Sequence, residues 1–493
     1  MSSGEHIPGR NHRRDGRLTA ENRRPLAPLY KRLPHGPHQL DPSEVALNQR
    51  LRIHGAMIEA VARHGYERAN VKQVITLAGV SRRSFYEQFP NKLDCFLATF
   101  DVLAARELQR ARNAYLTAGG ELEARLRAVI DARVDSAEEE PKAIRLCQLD
   151  ALATGEVGLL RVCRAASVHE QLFGECFTGV PQGTAPPAPL LRALTGGIQG
   201  VIAASAATAQ RSRPSSPEPL LEWALSFHAP ACSGLDSWLA RRLRERARVL
   251  ALATASRARP DRTGTAAAGD SDDLRLAGRV GVTARRTPGS AHERVQPEVI
   301  RRLVLEATLR LGACHGHQEL SCPQIADAAR IPVEALLSHF ATPAACTSAA
   351  HAMAVTQVES ILADASLRGA GWALAVRPVL SALLEHLAAR PLHARALVQS
   401  SFCLGEQTAA PGLELNARLA TLLSPDTEAP ARGLCNPPPL AGEAAVYALW
   451  HTVRCLLATR RSQLLPALTD HFSFLVLAPV LGAEPALALL RDG

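Results

Sequence analysis

The sequence predicts an all-α chain of two fused units, each a three-helix head followed by a helical regulatory or dimerisation domain. Three observations carry this. Apolar residues recur at i, i+3, i+4 and i+7 over most of the 493 residues, with no alternating strand run of note. Alanine and leucine dominate a 47% apolar content while aromatics make up 4%, which favours helices packed through aliphatic side chains. The third is an internal repeat. A shift of 251 residues lays "VKQVITLAG" (71–79) over "CPQIADAAR" (322–330) without a gap, and carries Ala56 to Ala307, Gly65 to Gly316 and Phe89 to Phe340. "LSFHAP" (225–230) and "FSFLVLAP" (472–479) repeat the relation at a shift of 247–249.

Residues 1–42 form a basic arm: the first 40 hold eight Arg or Lys against three acidic residues. Two readings of it stand, a phosphate or minor-groove contact and a solvated tail. The first head spans 43–104. Ile53, Ala56, Met57, Ala60 and Val61 form the apolar stripe of its first helix, which His64 and Gly65 stop. Asn70 caps a second helix with Gln73 reaching back. That helix ends at Ala78, Gly79 supplies the turn, and Ser81 caps a short helix running to about Gln88. Val74, Ala78, Val80, Phe85 and Phe89 face inward, and the pair makes a helix-turn-helix over about 72–91.

What faces outward is Arg82, Arg83, Ser84 and Tyr86, on the first turns of the second helix, where such motifs meet base edges in the major groove. Arginine matches guanine O6 and N7, and hydroxyls suit phosphate or base edges. Lys92, behind an Asn91 cap, joins an ammonium to a helix N-terminus, a natural phosphate site. Glu87 either orients an arginine or lies in solvent.

Residues 50–101, through "HGY" (64–66), "LAGVSRRSFYEQF" (77–89) and Lys92, resemble the DNA-binding domain of the TetR family of bacterial transcriptional regulators. The resemblance implies a homodimeric, usually repressing regulator whose helical C-terminal domain binds a small molecule. By it, Arg82, Arg83 and Ser84 face bases, while Asn70, Tyr86 and Lys92 hold phosphates.

Helices follow at about 92–116, 121–136, 141–153, 156–178 and 236–255, with Pro-rich breaks at 181–189 and 214–219. They make a regulatory domain over 105–255, then a flexible Gly-, Ser- and Arg-rich linker at 256–293. A degenerate head (294–350) and a second helical regulatory domain (351–493) complete the chain. In the second head Val333, Glu334, Ala335, Leu337 and Pro343 stand where Arg82, Arg83, Ser84, Tyr86 and Lys92 stand in the first. Eight basic and five acidic residues over 45–105 become four and five over 295–350, so the attraction to phosphate is lost. The folding signals persist: Ser321 and Gln324 form a capping box, and Thr342 with Pro343 opens a helix. Arg330 in place of Gly79 is the oddity, a bulky residue in the turn. The first head is thus expected to read DNA and the second to be mainly structural. "LLRALTGGIQGVIAASAATAQ" (190–210) and "PALTDHFSFLVLAPVLGAEPAL" (466–487) resemble the late helices that form the family's dimer bundle. That bundle forms either within one chain, as a pseudo-dimer, or between two chains.

Eleven cysteines without a CxxC pair, no apolar leader and no uninterrupted 18-residue apolar run predict a cytoplasmic protein, on the nucleoid when DNA-bound, with no membrane span. "CHGH" (314–317) lacks zinc-site spacing, and His451 with Cys455, sharing a helix face, makes no better case. No nucleophile triad, phosphate loop or carboxylate pair stands out, so no enzyme, metal or cofactor is called for. Phe173, Phe177, Trp223, Phe227, Trp372, Trp450 and Phe474 read as core, and no residue is assigned to a ligand. The expected partners are an operator in double-stranded DNA and a small hydrophobic effector, acting on a repressor. The alternative is a non-DNA-binding ligand-sensing or interaction protein built from relic regulator domains.

Overall fold

Ten helices precede residue 259 and ten follow residue 296 in this computed structural model. It describes residues 42–179, 185–207, 216–228, 235–258, 297–315, 320–366, 371–402, 409–425 and 438–492, with no strand among them. The arm to residue 41, the linker from 259 and His317 of "CHGH" lie outside the described residues.

The first ten are α1 (Pro42–Arg68), α2 (Val71–Ala78), α3 (Arg82–Gln88), α4 (Lys92–Thr117), α5 (Leu122–Glu139), α6 (Pro141–Gln148), α7 (Glu156–Cys176), α8 (Ala188–Ala207), α9 (Pro217–Leu225) and α10 (Leu235–Ala258). The second ten are α11 (Pro297–His315), α12 (Cys322–Ala329), α13 (Val333–Leu337), α14 (Pro343–Ser366), α15 (Trp372–Ala389), α16 (Pro391–Phe402), α17 (Ala409–Leu422), α18 (Ala441–Ala458), α19 (Thr469–Leu481) and α20 (Ala483–Asp492). Short 3-10 turns at Asp150–Thr154 and Ser462–Leu468 join α6 to α7 and α18 to α19.

Two predicted breaks begin later helices instead. Pro189 lies inside the first turn of α8 and Pro217 opens α9, because a proline at a helix start forfeits no intrahelical bond. Helix α10 likewise continues to Ala258, past the expected start of the linker. Gly65 interrupts α1 with φ 72°, ψ 158°, after which one more turn runs to Arg68.

Backbone geometry repeats at the predicted shift. Gly79 and Arg330 share one left-handed conformation, φ 61°, ψ 41° and φ 58°, ψ 42°. Val80 N–H donates to Ile75 O at 3.2 Å, and Ile331 N–H to Ala326 O at 3.0 Å. Arg50 lies over the Phe89 ring at 5.2 Å, and Arg301 over Phe340 at 5.1 Å. The correspondence continues beyond the heads at a shift of 250. Glu140 (φ −129°, ψ 57°) and Arg390 (φ −128°, ψ 68°) each separate an 18-residue helix from one that opens on proline. At Arg330 the left-handed backbone costs a β-carbon about 1 kcal/mol. Arg330→Gly should therefore raise unfolding stability by about that much, read as a higher urea midpoint at unchanged slope.

The most extensive helix–helix contact among the described residues joins the two halves, α8 against α18. It is close because glycines line it. A Cβ on Gly196 would stand 2.3 Å from His451 Cβ, and one on Gly200 2.2 Å from Tyr447 Cβ. The two glycines thus let α8 and α18 approach closely, each seating one ring-bearing side chain of the other half.

The buried residues of the first head join those of the helices that follow each head in one continuous apolar core. Val304, Ile325, Leu336 and Phe340 of the second head close around a separate, smaller one. Trp223, Trp450, Phe173, Phe227 and Phe474 are fully buried, as predicted, whereas Trp372 is half-buried. Three segments reach the length and mean hydropathy of a membrane span where none was expected: Ala188–Ala207, Trp372–Ala389 and Ser462–Leu481. In the first and third, 67% and 83% of the apolar window is buried inside the protein, so packing accounts for their hydropathy.

Burial also sets a pH dependence. Desolvation holds the imidazoles of His54, His393 and His471 down at about 4. Below pH 6.5 the unfolded chain takes protons that these folded histidines refuse, so each removes about 2 kcal/mol by pH 5. Burial lifts the carboxyls of Asp131 and Asp150 to about 6, and these act the other way, each adding about 1.4 kcal/mol by pH 5. The histidine losses outweigh the gains at Asp131 and Asp150, so acidification from pH 7 to 5 is expected to lower the urea midpoint. An unchanged or higher midpoint at pH 5 would contradict this assignment.

Candidate nucleic-acid interface

Short-range chemistry builds the reading helix before any tertiary contact is needed. Asn70 Oδ1 accepts from Gln73 N at 3.0 Å while Gln73 Oε1 accepts from Asn70 N at 2.9 Å, the reciprocal box expected at the start of α2. The left-handed Gly79 ends α2. Ser81 Oγ then accepts from Ser84 N at 3.0 Å and so starts α3. Phe85, Phe89, Val74 and Ala78 are buried beneath, and Val80 is half-buried.

The opposite face of α3 carries the predicted contact set. Arg82, Arg83 and Tyr86 are exposed there and Ser84 is half-exposed. Arg82 rests its guanidinium 5.6 Å from the Tyr86 ring centre, and Tyr86 stands edge-on to Phe85 at 5.4 Å. Arg83 Nε donates to Glu87 Oε1 at 2.8 Å, with both side chains well in solvent. Glu87 therefore orients an arginine, and its hydrogen bond raises the Arg83 pKa further. The Ser84 hydroxyl lies 2.9 Å from that of Ser81.

Besides Arg83 and Ser84, two more of the six named residues are engaged within the domain. The Asn70 side-chain oxygen is held in the capping box. The Lys92 ammonium turns back on α1, donating to Tyr66 O at 3.1 Å and Glu67 O at 3.3 Å, and lies 4.3 Å from the Tyr66 ring centre. It ties the start of α4 to the end of α1, while Asn91 caps α4 through Asp94 N at 2.9 Å. Residues 56–99 match the profile of the bacterial regulatory proteins, tetR family. The chain thus carries a tetR-type DNA-binding domain. No curated protein matches the chain. Among solved structures, the fatty acid degradation regulator FadR from Bacillus halodurans is similar at 18% identity, over 35% of this chain and 96% of that one, with a TM-score of 0.33. A protein of Pseudomonas aeruginosa PAO1 described as a transcriptional regulator is similar at 18% identity, over 41% and 96%, with a TM-score of 0.33.

The tetR-type domain is braced by residues that sequence reasoning passed over. Arg52 Nη2 donates to Gly79 O at 2.7 Å, pinning the turn to α1. Glu59 on α1 pairs with Lys142 on α6 at 2.7 Å, and that hydrogen bond holds its carboxyl below the usual range. Arg145 Nη1 on α6 donates to Ala62 O at 3.4 Å. These bonds join the tetR-type domain to the regulatory helices. Sequence separations of 27 and 83 residues hid them, although the odd placement of a rare lysine at 142 was visible.

Behind α6, Glu107, Arg133 and His169 meet in the interior. Arg133 Nη2 lies 3.1 Å from Glu107 Oε1, and Arg133 Nη1 lies 2.6 Å from His169 Nδ1. Arginine can only donate, so Nδ1 accepts and the imidazole carries its proton on Nε2. Burial and the adjacent Arg133 push the His169 pKa well down, which keeps it neutral. Beside this group a cavity of about 20 Å³ is lined by Arg106, Glu107, Arg110, Ser136, Glu140 and neighbouring apolar side chains. That is room for about one water.

Proposed function

We propose that this chain is a sequence-specific DNA-binding transcriptional regulator, acting in the cytoplasm as a ligand-responsive repressor. The observation that carries the reading is the exposed Arg82, Arg83 and Tyr86 face on a capped helix of a tetR-type domain. Arg82, Arg83 and Ser84 are the residues proposed to meet bases. Tyr86 is the proposed phosphate contact on α3, and Asn70 and Lys92 would meet phosphate from the rims of the domain.

We read the chain further as a duplicated unit that forms its own pseudo-dimer with one reading head. The repeated turn geometry at Gly79 and Arg330 supports duplication, and the extensive, glycine-lined contact of α8 with α18 supports pairing of the halves within one chain. The second head presents Val333, Glu334 and an exposed Leu337 on the five-residue α13, a face with no attraction for phosphate. An effector would work by changing the α1–α6 bracing at Glu59–Lys142 and so the seating of α3. The cavity beside Glu107 has room for about one water and is lined by charged groups, so an effector would enter there only by parting α4, α5 and α6.

Light scattering of the chain, alone and with the DNA upstream of its own gene, tests this. A particle near 52.8 kDa that binds one half-site supports the single-chain regulator. A particle of twice that mass on a palindrome would replace the pseudo-dimer with a true dimer. Absence of binding at both low and moderate salt would leave the relic reading.

A further inference from the structure

Helix α3 carries one acid among its outward cations. Its exposed residues are Arg82, Arg83, Tyr86 and Glu87, which fall within about 140° of the helix circumference and form a single stripe. Nothing in the local structure asks for a carboxylate at 87. It stands one residue from the C-terminal end of α3, where the helix dipole disfavours negative charge. Its pair with Arg83 has the arginine on the N-terminal side, the less stabilising order at i, i+4, and a pair so exposed adds little to folding. On a helix that faces DNA it also repels phosphate. The second head has no such pair. By the 251 shift Glu334 and Ser338 stand at these places, and the Ser338 hydroxyl turns back to donate to Ala335 O at 2.8 Å.

We infer that Glu87 is a specificity-determining residue, which accepts from the exocyclic amine of a cytosine close to the guanine that Arg83 takes. The inference rests on the DNA-reading role proposed for α3. In the free protein Arg83 Nε donates to Glu87 Oε1 at 2.8 Å. When Arg83 turns that edge of its guanidinium to guanine O6 and N7, the carboxylate is left in the groove without its donor. A carboxylate only accepts. In the major groove the donors are cytosine N4 and adenine N6, whereas guanine O6 and N7 and thymine O4 present lone pairs that repel it. Adenine also sets its N7 lone pair beside N6, against the second carboxylate oxygen, so cytosine is preferred. Four residues along α3 rise about 6 Å and bases stack about 3.4 Å apart, which puts the cytosine about one or two base pairs from the guanine. Glu87 works chiefly by rejection, because guanine or thymine at that position leaves its charge unpaired against acceptors.

The full chain is incubated with duplexes whose central segment is randomised, the bound fraction is sequenced, and the enriched duplex and its single-base variants are titrated by anisotropy. The wild-type motif should hold a guanine with a cytosine one or two base pairs away, and changing that cytosine to thymine should weaken binding about tenfold or more. In Glu87→Ala the thymine penalty should shrink to about twofold while the guanine preference persists. Glu87→Gln should move the same position towards adenine, since a carboxamide both accepts from N6 and donates to N7. Arg83→Ala should lose the guanine instead. A Glu87→Ala chain with the wild-type motif and the full thymine penalty would overturn the inference and leave the DNA-reading role standing. A Glu87→Ala motif that loses guanine but keeps cytosine would also overturn it, because Glu87 would then only position Arg83. A wild-type chain that enriches no sequence would remove the DNA-reading role and this inference together.

Discussion

Replacing both Arg82 and Arg83 by alanine is expected to weaken operator binding about a hundredfold or more, each bidentate arginine–guanine contact being worth about 1–3 kcal/mol. Neither change should cost stability. The Arg83–Glu87 pair has side chains 88% and 57% exposed, and such solvent-screened pairs contribute little to stability. The loss would therefore belong to recognition and not to folding. Glu87 introduces a specific complication. It holds Arg83 at 2.8 Å in the free protein, so base contact must exchange one acceptor for another. Glu87→Ala should consequently affect binding far less than Arg83→Ala. The control lies 251 residues on. Ala substitutions at Val333 and Glu334 should leave affinity within about twofold, since neither offers a donor to phosphate or base. Anisotropy titrations with a labelled operator, repeated at two salt concentrations, read all of these. Equal losses from the two heads would end the claim that one reads and the other supports.

Why the first head was so legible follows from how its parts are made. The Asn70–Gln73 box, the Gly79 turn, the Ser81 cap and the Asn91 cap each involve residues three or four apart, so local sequence contains the whole cause. The inward set Val74, Ala78, Phe85 and Phe89 is likewise periodic. Arg330 was flagged as unsuited to its turn, and the turn formed regardless, because Ala326 O and Asp327 O still receive their bonds and Ile325 and Ala329 stay buried. Packing overrode a local preference there. What was hidden depends on distant partners. That the Lys92 ammonium reaches Tyr66 O and Glu67 O, 26 and 25 residues away, cannot be read from the residues around it. That Gly196 and Gly200 make room for His451 and Tyr447 is equally invisible in a local window. The helices at 188–207 and 462–481 are apolar nearly all round because protein covers them.

Glu107→Ala should be the most destabilising substitution considered, costing about 3–5 kcal/mol, because it strands a buried guanidinium. Arg133 is 1% exposed and Glu107 8%, and a water or two in the adjoining small cavity would not replace the charge of the lost carboxylate. His169 gives little relief. It is neutral with Nδ1 already accepting from Arg133, and its Nε2 proton, 4.0 Å from Glu107 Oε2, would lose the carboxylate it faces. Desolvation already works against the charge of Arg133, pulling its pKa down, and the carboxylate is the group that opposes this. The pair itself is not thereby a source of net stability. Desolvating two ions offsets most of what their attraction gains, so Glu107→Leu with Arg133→Met should recover most of the single-mutant loss. Urea unfolding of the three proteins decides it. A double variant as unstable as Glu107→Ala would mean that packing around α4 and α5, rather than the stranded charge, sets the cost. Recovery would identify the triad as a polar element retained in the helical core despite its contribution to stability. That element adjoins the water-sized cavity and the α6 helix whose Lys142 braces the tetR-type domain.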